Sequence, residues 1–135
     1  MIEFNYETDF LLADELRFNL WIQKIIGSEG KSYGDICFVF CDDEYLLKLN
    51  LEHLQHDTYT DIITFDYCVG NELNGDIFIS IERVLDNAKQ FNVSFSNELS
   101  RVMAHGILHL CGYIDKSDAD TELMRSKEED KISLF

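Results

Sequence analysis

Residues 62–81 constrain the fold of this chain most. Residues 62–69 and 75–81 are both rich in β-branched and aromatic side chains. Between them lies Gly70-Asn71-Glu72-Leu73-Asn74, which has turn chemistry. Runs joined that closely pair as an antiparallel hairpin, because a parallel crossover needs a dozen or more residues. Two further strands are expected. Ile2–Tyr6 alternates apolar and polar residues, and residues 35–41 are almost continuously apolar, as in the middle of a sheet.

The remaining segments have helical spacing. Residues 11–26 place Leu12, Leu16, Leu20 and Ile25 on one face and stop at Gly27-Ser28-Glu29-Gly30. Asp42 is suited to cap a helix running to about residue 51, with Tyr45, Leu46 and Leu49 inward, and a polar loop follows over 52–59. Residues 81–91 carry Val84, Leu85 and Ala88 on one face, Ser94 or Ser96 caps a long helix through His109, and a last helix starts near Ser117 to Asp120. Strands and helices segregated in this way predict an α+β fold, a small mixed β-sheet of about four strands packed with about five helices. The 135 residues are expected to form a single domain, 1–135.

Composition limits the partners. Twenty-six acidic against eleven basic residues give a net charge of −15, which repels polyanions at long range, so a nucleic acid would have to be held by a local feature. The longest apolar run, Ile36 to Cys41, is far too short to span a bilayer, and the first residues lack the basic and apolar regions of a signal peptide. No membrane association and a cytoplasmic location are expected. Cys37, Cys41, Cys68 and Cys111 include no Cys-x-x-Cys pair and sit among apolar residues, as reduced core cysteines do. Proline is absent, so no proline-rich linker divides the chain.

The chemistry concentrates in residues 105–115. His105 and His109 are four apart, which on a helix stacks them one turn apart on one face, where two imidazoles can share a metal ion. Gly112 can adopt the left-handed conformation that reverses the chain. That reversal returns Asp115 toward the same ion as an oxygen ligand. Two histidines and one carboxylate would leave a coordination position for water. Gly106 stands where helical zinc peptidases carry their general-base Glu; it permits close backbone approach at about 1 kcal/mol of helix propensity. Glu98 and Arg101 precede His105 by two turns and one turn. Arg101 is placed to neutralise a phosphate, and Glu98 to orient a ligand or move a proton; alternatively the two form an i,i+3 salt bridge.

Residues 105–115 resemble the signature of the YbeY family of metal-dependent endoribonucleases, His-Gly-x-Leu-His-Leu-x-Gly-Tyr-Asp-His. Thr60-Asp61-Ile62-Ile63-Thr64-Phe65 is similar to the family's Thr-Asp-Val-Leu-Ser-Phe, and Gly75-Asp76-Ile77-Phe78-Ile79-Ser80 to its Gly-Asp-Ile-x-Ile-Ser. With Asn50 and Met124 in register, the likeness covers residues 50–128. It implies one divalent ion, with zinc the expected metal, held by His105, His109 and Asp115. It also implies single-strand-specific cleavage of RNA, including ribosomal RNA, in rRNA maturation and ribosome quality control, with the ribosome or small-subunit proteins as partners; a monomer is the general expectation for a chain of this kind. Thr60, Asp61, Glu98 and Arg101 are the expected substrate-cleft residues.

Two departures stand out. Asp115 replaces the family's third His and Ile114 the preceding Asp, which shifts the ligand set toward the two-His-one-carboxylate pattern of iron enzymes. Leu54 stands where the family has an Arg, and Tyr59 where it usually has Pro; His53 and His56 flank the lost cation. The general base stays open between Glu98, Asp61 and the ion's own water. Two competing readings are a metal hydrolase of peptide or ester substrates, and a ribosome-associated binding protein with a structural metal.

Overall fold

The computed structural model describes residues 1–54 and 60–135. The expectations for His56, Tyr59 and the Leu54 side chain lie outside the described residues. The elements in chain order are β1 (Ile2–Tyr6), α1 (Glu15–Ser28), β2 (Ser32–Cys41), α2 (Asp43–Leu49), a π-helical turn (Asn50–Leu54), β3 (Ile62–Asp66), β4 (Glu72–Ser80), α3 (Ile81–Phe91), α4 (Phe95–Leu110) and α5 (Asp118–Ile132). The strands form one mixed sheet in the order β1-β2-β4-β3, with β1 and β4 parallel to β2 and β3 antiparallel to β4. The architecture is the expected α+β.

The hairpin is tighter than its composition implied. Val69 and Glu72 exchange two backbone hydrogen bonds of 3.0 Å, so the turn is only Gly70 and Asn71. Gly70 takes φ +58°, the conformation that a two-residue hairpin loop with glycine in first position requires. β4 therefore starts at Glu72, inside the segment expected to be loop, and β3 ends at Asp66 rather than at residue 69.

Alternation along the strands sorts the core onto the two faces of the sheet. Ile36, Phe38 and Phe40 of β2, with Leu73, Ile77 and Ile79 of β4, bury into the main core under α1 and α4. Phe4, Tyr6, Phe38 and Phe40 stack along this face with neighbouring ring centroids 5.6–6.4 Å apart. On the opposite face Cys41, Ile63 and Phe78 pack against Leu46 of α2. α2 is capped by Asp42, as expected, but Tyr45 is partly exposed beside Phe78.

Three helical expectations are corrected. α1 starts at Glu15 because the Asp14 carboxylate accepts from the Arg17 N–H and caps it there. Its buried face is Trp21, Ile22, Ile25 and Ile26, whereas Leu16 and Leu20 are exposed. The leucine spacing ran along the helix, but the bulkiest side chains mark the face that packs. In α3, Val84 and Ala88 are buried as expected, but Leu85 is 42% exposed, so the buried face is narrower than the spacing implied.

α5 closes against α1 through a polar lock. Trp21, 2% exposed, donates from Nε1 to the Lys131 carbonyl at 2.8 Å. The Lys131 ammonium, itself buried, donates to Glu29 at 2.7 Å and to Ser28 Oγ at 2.8 Å. Tyr113, from the loop after α4, donates its hydroxyl to Glu29 at 2.6 Å. Burial alone would raise the Glu29 pKa, but the hydrogen bonds from Lys131 and Tyr113 and the charges of Lys131 and Lys127 outweigh it and hold the carboxyl below its ordinary value of 4.5. A carboxyl depressed on folding contributes stability that is complete above the unfolded pKa and disappears as pH falls through the folded one. Urea unfolding is therefore expected to show stability falling below about pH 4.5, with a shallower fall in Lys131→Met, in which Glu29 keeps only its weaker partners.

Candidate active site

α4 is a helix buried almost all round. From Glu98 to Leu110 every residue is buried except Arg101, His105 and His109. These three are four apart, so they form a single stripe along one face. The stripe forms a wall of a cavity of about 620 Å³, completed by Asn50, Thr60, Asp61, Ile62, Ile63, Thr64, Val102 and Asp115. The sheet lies this close because position 106 is glycine: a Cβ there would stand 3.0 Å from Ile77 Cγ2 and 3.1 Å from Ile62 Cδ1.

Gly112 makes the expected reversal. It takes φ +107°, its N–H donates to the His109 carbonyl at 3.0 Å, and the Tyr113 N–H donates to the Leu108 carbonyl at 3.1 Å. This is the hydrogen-bond pattern of a Schellman helix end. The bend also returns the Tyr113 carbonyl to His109 Nδ1, 2.9 Å away. The two imidazole rings lie 5.4 Å apart, inclined by 73°, and His105 Nδ1 sits 2.7 Å from Glu128 Oε2. Each ring thus has its Nδ1 held by the protein, and Nε2 is the nitrogen left for the cavity.

Asp115 shares the cavity with the pair, and its Oδ1 accepts from Thr121 Oγ1 at 2.7 Å. Among the described residues no three His, Cys, Asp or Glu side chains are gathered closely enough to hold a metal ion. The site is therefore a preformed pair, with the carboxylate alongside and engaged by a hydroxyl.

Arg101 is not a free cation. Glu98 grips it at 2.9 and 2.7 Å, Glu128 Oε1 accepts from it at 3.2 Å, and Asp61 lies 3.6 Å away. The i,i+3 salt bridge is the alternative that the structure shows. The Glu98 hydrogen bonds, against the cost of burial, and the Glu128 charge hold the guanidinium pKa above its ordinary value. Glu98 is 1% exposed and borders a different cavity, behind Arg101, together with Phe91, Val93 and Ile132. Asp61 does line the His cavity; burial raises its pKa, against the charges of Arg101 and His105. Thr60 lines the cavity and donates to the Ile62 carbonyl at 3.3 Å. His53 lies in the π-helical turn with its ring edge-on to Phe65, away from the cavity lining.

Two residues to which the sequence assigned no role belong to the site. Glu128 is 3% exposed and reaches the site from α5, 23 positions beyond His105. Its only trace was the register of Met124 one turn earlier. Thr64 lines the cavity with a buried hydroxyl that has no hydrogen-bond partner among the described residues. Strand alternation from Ile62 could have placed it on that side.

A family model described as endoribonuclease YbeY matches residues 3–135. Proteins named endoribonuclease YbeY include one from Flavobacterium johnsoniae, 66% identical over all of this chain and 97% of its own, and one from Christiangramia forsetii, 60% identical over 99% and 94%. The solution structure of a Thermotoga maritima protein superposes with a TM-score of 0.70 at 28% identity, covering 99% of this chain and 88% of that one. None of these lends support to a peptide or ester hydrolase or to a purely structural binding protein. With a family model spanning nearly its whole length and a relative two-thirds identical from end to end, the chain belongs to the endoribonuclease YbeY family.

Proposed function

We propose that this endoribonuclease cleaves single-stranded RNA, ribosomal RNA in particular, with one divalent ion, zinc by preference, held by His105 and His109 and completed by Asp115. The observation that carries the reading is the stripe of Arg101, His105 and His109, the polar line of an otherwise buried helix, open to a cavity.

The donor chemistry fits an ion. Both imidazoles keep Nδ1 engaged, which orients Nε2 as an electron-pair donor. Asp115 lines the same cavity, and an ion held there would draw its carboxylate away from Thr121 toward the pair. Asp61, Glu98 and Glu128 set three carboxylates against one guanidinium, so the wall around His105 carries an excess of negative charge that a divalent cation offsets. Bound there, such an ion supplies Lewis acidity toward a phosphoryl oxygen and lowers the pKa of water.

The protein's own groups then divide the work. Asp61 is the carboxylate best placed to hold a proton at the site, because Glu98 is committed to Arg101 and lies outside the cavity lining. Arg101 contributes through Glu128 and Asp61 rather than as a free phosphate clamp. Long-range repulsion from the net charge of −15 discourages indiscriminate RNA binding, which leaves recruitment to ribosomal partners and action in the cytoplasm.

Removing metal from the purified protein with a chelator is expected to abolish cleavage of a single-stranded RNA, and reloading with zinc to restore it, with a duplex of the same sequence cut far more slowly. Full cleavage by metal-free protein would overturn the metal reading; equal cleavage of the duplex would overturn the strand preference.

A further inference from the structure

We infer that Glu128 is a positioning residue that selects the tautomer of His105, and that Arg101 and Glu98 fix the direction in which it does so. The consequence for function rests on the metal reading above; the geometry does not. Glu128 presents Oε2 to His105 Nδ1 at 2.7 Å and Oε1 to Arg101 Nη1 at 3.2 Å. Arg101 is in turn clamped by both oxygens of Glu98, through Nε at 2.9 Å and Nη2 at 2.7 Å. Glu98 and Glu128 are 1% and 3% exposed, so solvent has little access to their carboxylates.

Every link in this chain has a single polarity. A guanidinium only donates, so Oε1 must accept; an ionised carboxylate only accepts, so the nitrogen facing Oε2 must carry hydrogen. A neutral His105 therefore keeps its proton on Nδ1 and its lone pair on Nε2, the form in which a histidine binds a metal. His109 reaches the same tautomer by another route, through the Tyr113 carbonyl delivered by the Gly112 bend. The two rings are set by independent devices, so one can be altered while the other serves as reference.

Glu128→Gln tests the ladder because it changes polarity with almost no change in shape. Arg101 still demands an oxygen, so the amide must turn its NH2 group toward His105, where Nδ1 can then only accept. The His105 proton is expected to move to Nε2. Long-range 15N–1H correlation spectra of metal-free protein at about pH 8, above the ordinary histidine pKa, read this directly. Wild type should show both histidines as Nδ1–H, and the variant should show His105 as Nε2–H with His109 unchanged. Zinc affinity, measured by competition with a chromophoric chelator, should fall about 10- to 100-fold. An Nε2–H form of His105 in wild type, or an unaltered tautomer in the variant, overturns the inference. If Glu128→Gln does not fold, the wild-type spectrum decides alone. Tautomers as expected in a wild type that binds no zinc would uphold the ladder and sink the metal reading, so the two can fail separately.

Discussion

Replacing His105 and His109 together by alanine is expected to lower cleavage of single-stranded RNA by about 10³-fold or to the floor of the assay, the scale of losing a principal charge-stabilising group. Folding should survive. His109 is exposed, and alanine is the better helix former at both positions. Loss of His105 removes one partner of Glu128 but leaves Arg101 on its other oxygen. Circular dichroism should therefore show a helical protein whose melting is little changed, which separates a lost site from a lost fold. Cleavage at the wild-type rate in a folded double variant would show that the stripe on α4 is not the reacting surface.

The largest structural effect is expected at Trp21. It is 2% exposed, meets Phe18 and Phe135 edge-on at 6.1 and 4.9 Å, and hydrogen-bonds the Lys131 carbonyl. Trp21→Ala should cost about 3–5 kcal/mol through lost burial and the cavity left behind. That is a large share of the roughly 5–15 kcal/mol that holds a typical domain together. Trp21→Phe keeps most of the apolar volume but drops the donor to Lys131, and should cost about 1–2 kcal/mol. Both are measured by urea denaturation followed by circular dichroism, since Trp21 is the chain's one tryptophan and its removal takes the fluorescence signal with it. A Trp21→Ala cost below that of Trp21→Phe would contradict the packing of α1 against α5.

Much of the site could be read along α4 because a helix converts spacing into direction. His105 and His109 share a face at any tertiary arrangement in which that helix forms, and Gly112 ends it wherever it lies. The hairpin was similarly legible, because its partners are close in sequence and its turn is chemically distinctive. The misjudged faces of α1 and α3 have a common cause. Leu16, Leu20 and Leu85 satisfy helical spacing as well as their buried neighbours do, and only the position of the sheet decides which row is covered. The i,i+3 pairing of Arg101 with Glu98 was legible from spacing, whereas Glu128, the further carboxylate that engages Arg101, arrives from α5 and left no local signal.

By itself, the sequence determined the elements, their short-range pairing and the two histidines at helical spacing, because these follow from backbone geometry within a few residues. Only the tertiary structure decided that the stripe opens on a cavity, that Glu128 joins Glu98 around Arg101, and that Asp61 and Thr64 line the same cavity as the histidines. Those contacts join residues tens of positions apart, where local geometry carries no information and packing against the sheet chooses the neighbours.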